Sequence, residues 1–358
     1  MTFSLLAITL DWALVLEKFL LILVVVSISL GFAMYSTYAE RKVAGFLQDR
    51  LGPNRFGWFG LLQPVADAIK LFAKEDIIPN KANKVLFVLG PGLAMLAALM
   101  TSAVIPWGDT LTIGDRAVSL QIADINIGML YVFAVVALGV YGVMIGGWSS
   151  NNKFSLLAAI RGASQNISYE LAMGLSIIAL VFVTGSLSLK DIVVSQQTIG
   201  WNFFLQPLGF LLFMICAFAE CNRTPFDLPE AENELNFGYH QEYSSMKLGF
   251  YLFAEYINMF ISSVIMSTLY FGGYDILPFV DETKWGLDPN VLTLLGFGAL
   301  LIKTVFFVFF FMWVRWTIPR FRYDQLMNLG WKKLIPLALI NMLITAAVVL
   351  YLQNGWPK

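Results

Sequence analysis

Residues 219–242 concentrate acidic side chains in a chain that is otherwise mostly apolar. The only basic residues that balance them are Arg223 and, further on, Lys247. The six carboxylates are those of Glu220, Asp227, Glu230, Glu232, Glu234 and Glu242. Like charges that are buried together raise the pKa of at least one member towards neutrality, which would suit the segment for proton exchange. Arg223 would hold one carboxylate ionised. The alternative is a solvated loop, in which the carboxylates repel one another only modestly.

The segment also contains a helix-start signal. Pro229 suits the first turn of a helix, and a helix that begins there would carry Glu230 and Glu234 on one face, with Glu232 turned away. The sequence therefore predicts a short acidic helix inside the loop.

Three carboxylates are expected at similar depth in three different apolar segments. Glu255 lies about 10 Å into its segment at 1.5 Å per residue, where an unpaired charge costs at least a few kcal/mol. Glu170 and Glu220 lie at the ends of two other segments, and Arg161 precedes Glu170 by about two turns if that helix extends so far. These positions predict one internal polar line. The alternative for Glu255 is a structural pair with a neighbouring helix.

Further charged residues lie at or inside the apolar segments. Glu40 and Arg41 end the first segment, and Arg50 and Arg55 follow in the glycine- and proline-containing sequence LGPNRFG. Irregular backbone near a membrane is buried in protein or lines a cavity, although charges at helix ends also snorkel. Lys303, near the middle of another segment, is the deepest base. A structural ion pair and a place in a proton path fit it equally well.

The composition is that of a polytopic membrane protein. Of 358 residues, 58% are hydrophobic, only 13% are charged, and the mean hydropathy is +0.72. Cys216, Cys221 and the single His240 are too few for a cysteine-ligated iron–sulfur cluster, a bis-histidine haem or a four-ligand zinc site. His240 fits a loop residue with satisfied hydrogen bonds better than a ligand. The net charge of -1 does not indicate nucleic-acid binding, and the first ten residues lack the features of a cleaved signal.

Hydropathy predicts an all-α fold in a single transmembrane domain. A spanning helix needs about 20 apolar residues, and eight segments qualify: 15–38, 84–105, 126–147, 167–184, 203–219, 249–271, 291–314 and 333–352. Residues 63–74 predict a short amphipathic helix on the membrane surface. Lysine and arginine number 17 in the loops on one side and 5 on the other. This bias predicts that both termini face outwards.

Three stretches identify a family that this chain resembles. Residues 40–79 read ERKVAGFLQDRLGPNRFGWFGLLQPVADAIKLFAKEDIIP, residues 219–256 contain AECNRTPFDLPEAENEL and EYSSMKLGFYLFAEY, and residues 319–332 read PRFRYDQLMNLGWK. Together they resemble the H-type membrane subunit of the proton-pumping NADH–quinone oxidoreductase, respiratory complex I. The resemblance covers nearly the whole chain.

The resemblance implies a role and a set of site residues. Such a subunit docks the hydrophilic arm in the bacterial inner membrane, forms much of the quinone chamber and begins an acidic path towards proton pumping. Redox centres belong to partner subunits, so quinone is the only cofactor expected and the chain alone is inactive. The chamber residues implied are Glu40, Arg41, Arg50, Arg55, Arg223, Phe226 and Asp227. The proton-coupling residues are Arg161, Glu170, Glu220, Glu230, Glu232, Glu234, Glu255 and Lys303. Those expected to dock the arm, or simply to snorkel, are Arg315, Arg320, Arg322 and Asp324.

Two other functions compete with this one. The first is the membrane subunit of a related hydrogenase-type complex that lacks a quinone. The extended ERKVAGFLQDRLGPNR motif favours the complex I subunit over this alternative. The second is a stand-alone proton-coupled transporter that uses Glu255 and Lys303 as a coupling pair. Transporters often show inverted repeats or paired broken helices, and the sequence shows neither.

The chamber is expected to open to lipid between the first span, the sixth span and the surface helix.

Overall fold

The computed structural model describes residues 12–114, 116–280, 282 and 286–354, and most of this part is helical, as predicted. The first ten residues, whose apolar sequence raised the question of a signal, lie outside it. The α-helices are α1 (Trp12–Leu47), α2 (Gln63–Ala73), α3 (Lys84–Thr101), α4 (Gly128–Ser149), α5 (Lys153–Thr184), α6 (Leu189–Ile199), α7 (Asn202–Leu205), α8 (Pro207–Glu220), α9 (Glu232–Leu235), α10 (Ser245–Tyr270), α11 (Pro289–Thr317), α12 (Tyr323–Leu329) and α13 (Ile335–Asn354). A π-helical turn, Gly330–Leu334, joins α12 to α13.

Seven helical segments in the described ranges are long and apolar enough to cross a membrane: α1, α3, α4, α5, α10, α11 and the continuous segment from α12 to α13. The predicted segment 203–219 differs, because it forms α7 and then the 14-residue α8. Pro207 has no amide hydrogen and begins a new helix. At 1.5 Å per residue α8 is about 21 Å long, against an apolar layer of about 30 Å. The eighth crossing therefore stays a prediction.

Local structure agrees with the sequence prediction in one place and differs from it in two. The predicted helix at 63–74 is present as α2, which ends at Ala73. The acidic helix expected from Pro229 is shorter than predicted, since α9 begins only at Glu232 and has four residues. Glu230 therefore precedes the helix and does not share a helical face with Glu234. A two-stranded antiparallel hairpin, β1 (Thr110–Ile113) and β2 (Arg116–Ser119), was not predicted.

Helix α10 lies at the centre of the bundle. In the most apolar 18-residue stretch of α10, 61% of the residues are buried, whereas only 11% are buried in the corresponding stretch of α1. It contacts α1, α2, α3, α6, α8 and α11. The charged side chains of α10 are therefore surrounded by protein, which is where ionisable groups inside a membrane are tolerated.

Small residues let α4 approach α10 and α3 closely. Tyr251 on α10 donates its hydroxyl to the carbonyl oxygen of Gly142 at 3.1 Å, and Tyr243 donates to that of Gly146 at 3.2 Å. A Cβ added to Gly146 would lie 1.9 Å from the Tyr251 hydroxyl oxygen. Close backbone approach at small residues is typical of helix pairs in membranes.

Gly146→Ala should therefore destabilise the protein, whereas Gly139→Ala on the same helix should not. The added methyl group at 146 overlaps Tyr251, and overpacking of this kind costs about 1–3 kcal/mol. At Gly139 the new Cβ meets only the Ala97 side chain at 3.7 Å, an ordinary contact. Thermal unfolding of the two detergent-solubilised variants measures the difference. Equal melting temperatures would contradict the packing described above.

Candidate functional site

Arg223 lies at the centre of a buried network of charges. It follows α8, and only 4% of its side chain is exposed. Its guanidinium group is 3.8 Å from Glu40 Oε2 on α1 and 4.0 Å from Glu255 Oε2 on α10, and it lies over the Tyr256 ring at 4.2 Å. Both carboxylates are in ion-pair range but beyond hydrogen-bonding distance. Arg223 therefore lies between two acids without being bonded to either.

Glu40 connects this network to three helices. Its Oε1 accepts from Arg315 on α11 at 2.6 Å, and its Oε2 accepts from the Tyr256 hydroxyl at 2.6 Å. Arg315, which the sequence assigned to arm docking or snorkelling, thus faces the interior. Burial of Glu40 is compatible with its charge because two donors and a guanidinium surround it.

The acidic loop brings a second group of side chains to Glu255. Glu255 Oε1 accepts from the Tyr239 hydroxyl at 2.9 Å and lies 3.7 Å from His240 Nε2. His240 Nδ1 lies 3.5 Å from Glu230 Oε1. Burial raises the pKa of Glu230, and the Glu255 carboxylate, which shares a hydrogen bond with it, raises it further. The two carboxyl groups are therefore close enough to share a proton.

His240 does not make the hydrogen bonds that the sequence interpretation expected of it. Neither ring nitrogen has a hydrogen-bond partner in the described part of the chain, and the side chain is fully buried. Burial lowers its pKa to about 4, even though Glu230 acts in the opposite direction. A neutral imidazole is thus held between two carboxyl groups. Glu230, His240 and Glu255 are also spaced like metal ligands, but the direct Glu230–Glu255 hydrogen bond favours proton sharing.

Asp227 and Arg320 form the edge of the network. Arg320 donates to Asp227 Oδ2 at 2.8 Å, so it too faces inwards. Burial and the neighbouring Glu230 raise the pKa of Asp227 to about 7, against the opposing effect of Arg320. Among the other predicted docking residues, Arg322 and Asp324 are exposed and lie 3.5 Å apart.

Helix α5 holds the acidic loop in place. Gln165 Nε2 donates to the carbonyl oxygens of Ala219 and Phe226 at 2.8 Å each. Phe226 itself is buried against Tyr169, with ring centroids 5.3 Å apart. Arg161, one turn before Gln165, pairs with Glu234 at 2.6 Å on a more exposed edge. The side chain of Glu232 lies outside the described part.

A small polar cavity lies between Glu255 and Glu220. It measures about 30 Å³, and its polar lining residues are Asn166, Glu220, Asn222, Tyr239, Tyr251, Glu255 and Asn258. Within the described ranges, Glu220 Oε2 and Asn166 Oδ1 are buried without hydrogen-bond partners. A volume of this size suits a water molecule. Glu170 is close enough to Glu220 to interact with it electrostatically. The predicted line of carboxylates is thus spatially contiguous.

A larger cavity lies where the sequence predicts a chamber opening. It has a volume of about 420 Å³ between α1, α2 and α10. Apolar side chains including Met34, Leu71, Leu252 and Phe253 line it together with Glu40, Arg41 and Tyr256. Arg41 and Asp67 form an ion pair of 2.8 Å across its α1–α2 side.

A second cavity of about 800 Å³ adjoins the first one. It is lined by the irregular backbone of residues 50–55, with Arg50 and Arg55, and shares Arg41 and Trp316 with the first cavity. Four of the seven predicted chamber residues therefore line these two cavities. The other three, Arg223, Phe226 and Asp227, are buried in the protein and line neither cavity.

Lys303 lies apart from the acidic network. Its ammonium group donates to the backbone carbonyl oxygens of Phe271, Gly273 and Asp275, directly after α10. These partners are backbone oxygens and not the side-chain ion pair considered from the sequence; the place of Lys303 in a proton path stays a prediction. The sequence also missed Tyr239, Tyr256 and Asp67. The sequence offered only weak signals for them: Tyr256 follows Glu255, Tyr239 precedes His240 in the acidic loop, and Asp67 is a polar residue inside α2.

Fold and site together define a class: a multi-pass helical membrane protein in which a lipid-depth cavity adjoins a buried acid–base network. The sequence matches the NADH dehydrogenase family over residues 19–346. It is 66% identical to an H-type subunit of NADH-quinone oxidoreductase from Cytophaga hutchinsonii over 335 residues, covering 94% of this chain and 97% of the relative. It is 61% identical to the corresponding subunit of Flavobacterium johnsoniae (94% and 96% covered) and 48% to that of Leptospira biflexa (97% and 99%).

The chain therefore belongs to the family of H-type subunits of NADH–quinone oxidoreductase, respiratory complex I, which confirms the resemblance in its motifs.

The neutral, buried His240 predicts a loss of stability in acid. Its folded-state pKa of about 4 lies below the ordinary value of 6.5, so the unfolded chain binds more protons between these values and stability falls as the pH drops through this window. His240→Gln should remove about 2 kcal/mol of this loss at pH 5 relative to pH 7.5. Unfolding of wild type and variant at both pH values measures it. Parallel pH profiles would refute the assignment of a neutral histidine.

Proposed function

We propose that this chain forms the quinone chamber of the oxidoreductase and the first part of the route that couples quinone chemistry to proton transfer. The observation that carries the proposal is the position of Arg223. It lies between Glu40, which lines the cavity between α1, α2 and α10, and Glu255, which belongs to the carboxylate line. A change in the cavity at Glu40 would therefore alter the charge balance at Glu255.

The two adjoining cavities suit the two parts of a quinone. The first has apolar walls from α1 and α10 and lies beside the amphipathic α2, so it fits an isoprenoid tail arriving from the bilayer. The second has Arg41, Arg50 and Arg55 on its walls, and their donors suit the carbonyl oxygens of a quinone head. Because Arg41 and Trp316 belong to both cavities, a quinone that moves between them passes these side chains.

Coupling follows from competition for one guanidinium group. When Arg223 moves towards Glu40, its stabilisation of ionised Glu255 weakens, and Glu255 takes a proton more readily. A change of one pKa unit corresponds to about 1.4 kcal/mol, which is small beside the interactions of a buried ion pair. Glu230 and His240 lie on one side of Glu255, and the polar cavity towards Glu220 and Glu170 lies on the other. Protons would travel along this line.

The remaining surfaces fit a subunit of a larger complex. The end of α1 and the loop after it expose Phe46, Leu51, Trp58 and Phe59, between 74% and 87% each, in the same segment as Arg50 and Arg55. Exposed apolar patches of this kind mark interaction sites. We assign this loop, with Arg322 and Asp324, to contacts with the hydrophilic quinone-site subunits, and the lipid-depth faces to lipid and small membrane subunits. The bacterial inner membrane, with both termini outside, is the proposed location.

The transporter alternative is disfavoured by one contact set. A coupling pair of Glu255 and Lys303 would need the two groups to be close, whereas Lys303 bonds to backbone beyond the far end of α10, at least 16 residues after Glu255. A hydrogenase-type subunit without quinone would leave the apolar cavity between α1, α2 and α10 without a ligand.

Glu255→Gln tests the coupling route. The amide keeps the approximate shape and hydrogen bonding of the carboxylate but does not titrate, so we expect at least a tenfold lower rate of both quinone reduction and proton pumping in an assembled complex. Asp109→Asn, at an exposed loop position, is the matched control. NADH oxidation with quinone and with an artificial acceptor, together with vesicle acidification, provides the measurement. Normal pumping per electron in Glu255→Gln would remove Glu255 from the route.

Leu252→Trp tests the chamber separately. The larger side chain fills part of the cavity between α1, α2 and α10 and should obstruct an isoprenoid tail. We expect the apparent KM for long-chain quinones to rise by about tenfold, with a smaller effect on short-chain analogues. Leu211→Trp, at an exposed position of α8, is the control. A uniform loss of activity with both quinone classes would argue against a tail path at this position.

A further inference from the structure

Helix α10 ends beside the middle of α11. Lys303, which contacts the residues just after α10, is preceded by 14 residues of α11. At 1.5 Å per residue α11 therefore continues for about 21 Å beyond the level at which α10 ends. The chain that follows α10 is nevertheless buried from Gly272 to Asp275. Non-helical backbone at membrane depth is tolerated only when protein encloses it and satisfies its polar groups.

The last carbonyl groups of α10 have individual partners. The amides of Phe271 and Gly273 donate to the Ser267 oxygen at 3.0 and 2.9 Å. Gln196 Nε2 on α6 donates to the Thr268 oxygen at 2.8 Å, and Asn202 Nδ2 on α7 donates to the Leu269 oxygen at 2.9 Å. Side chains from two short helices thus complete the hydrogen bonds that a helix end leaves open.

Lys303 completes this end with a positive charge. Its Nζ lies 2.7 Å from the Phe271 oxygen and 3.1 Å from the Gly273 oxygen, and it also donates to the Asp275 oxygen. The ammonium lies over the Trp201 ring at 4.5 Å, and the indole nitrogen of Trp201 donates to Asp275 Oδ2 at 2.7 Å. Three donors meet three carbonyl oxygens, and an aromatic face covers the cation.

We propose that these three carbonyl groups form a monovalent-cation site whose resident cation is the chain's own Lys303. Carbonyl oxygens arranged around a point are the ligands that replace the hydration shell of a monovalent cation. The negative end of the α10 dipole adds to their attraction. A lysine tethered to α11 fills the site permanently, so no ion from solution is needed or admitted.

The tethered cation acts as a seal. Phe271 follows Glu255 by 16 residues, about 24 Å along α10, so the site closes the end of α10 opposite the acidic loop. If the ammonium group is removed, three carbonyl dipoles face a small unoccupied space that attracts water and protons. Resting on the proposed coupling function, this site keeps protons of the outer phase away from the carboxylate line. Lys303 thus holds the seal closed and does not pass protons along the carboxylate line.

The test measures passive proton leak without NADH or quinone, so its result is independent of the proposed coupling function. Purified complex is reconstituted in vesicles containing a pH dye, and an acid pulse is applied. We expect Lys303→Ala to raise the leak per complex by about tenfold, equivalent to lowering the barrier by about 1.4 kcal/mol. Lys153→Ala, at an exposed lysine, should leave it unchanged.

Small cations discriminate the seal from a general defect. Guanidinium, which has N–H donors and stays charged at neutral pH, should restore the low leak of Lys303→Ala, whereas tetramethylammonium, which has no N–H donor, should not. A wild-type leak in Lys303→Ala, or equal responses to both ions, would overturn the proposal. If Lys303→Ala does not assemble, Lys303→Met decides in the same assay, because it keeps most of the length of the side chain and loses only the ammonium group. An unchanged leak in Lys303→Met would overturn the proposal, whereas Trp201→Phe, which leaves the ammonium group on its three carbonyl oxygens, should leak no more than wild type.

Discussion

The buried guanidinium group of Arg223 is the constraint around which the functional half of this protein is arranged. A charge at 4% exposure is stable only when opposite charges and polar groups surround it. Glu40, Glu255 and the Tyr256 ring supply this environment from α1 and α10, and Arg315 and Tyr239 in turn stabilise the two carboxylates. These partners come from four elements, so the network also fixes how α1, α10, α11 and the acidic loop lie relative to one another.

The charge network and the cavity between α1, α2 and α10 share residues, and in the proposed function this sharing links quinone binding to proton affinity. Glu40 and Tyr256 belong to both. Arg223 is bonded to neither carboxylate at hydrogen-bonding distance, so its position responds to small changes in either one. Tighter ion pairs would resist such a response. The loose geometry at the centre is the feature on which the proposed coupling depends.

The sequence predicted the long helices well because their apolar runs exceed the thickness of the bilayer core. It could not predict the break at Gln206 and Pro207, which shortens α8, or a hairpin whose strands have four residues each. The sequence also identified the charged candidate residues, but it did not identify the side chains with which they pair. Arg315 pairs with Glu40 and Arg320 with Asp227, 275 and 93 positions away in the sequence. Long basic side chains at a helix end look the same in sequence whether they point to solvent or to a buried acid.

The close contact between Tyr251 and α4 has a mechanical consequence for the site. Glu255 follows Tyr251 by one helical turn, so a helix locked against α3 and α4 carries Glu255 as part of a rigid frame. Glu230 and His240 belong instead to a loop with left-handed residues at Asn222, Asn236 and Phe237, which side chains of α5 hold by separate hydrogen bonds. In the proposed coupling, displacement would then occur in the loop while α10 stays still. The carboxylate line would have a stationary half and a moving half, joined at the contact of Glu230 and His240 with Glu255.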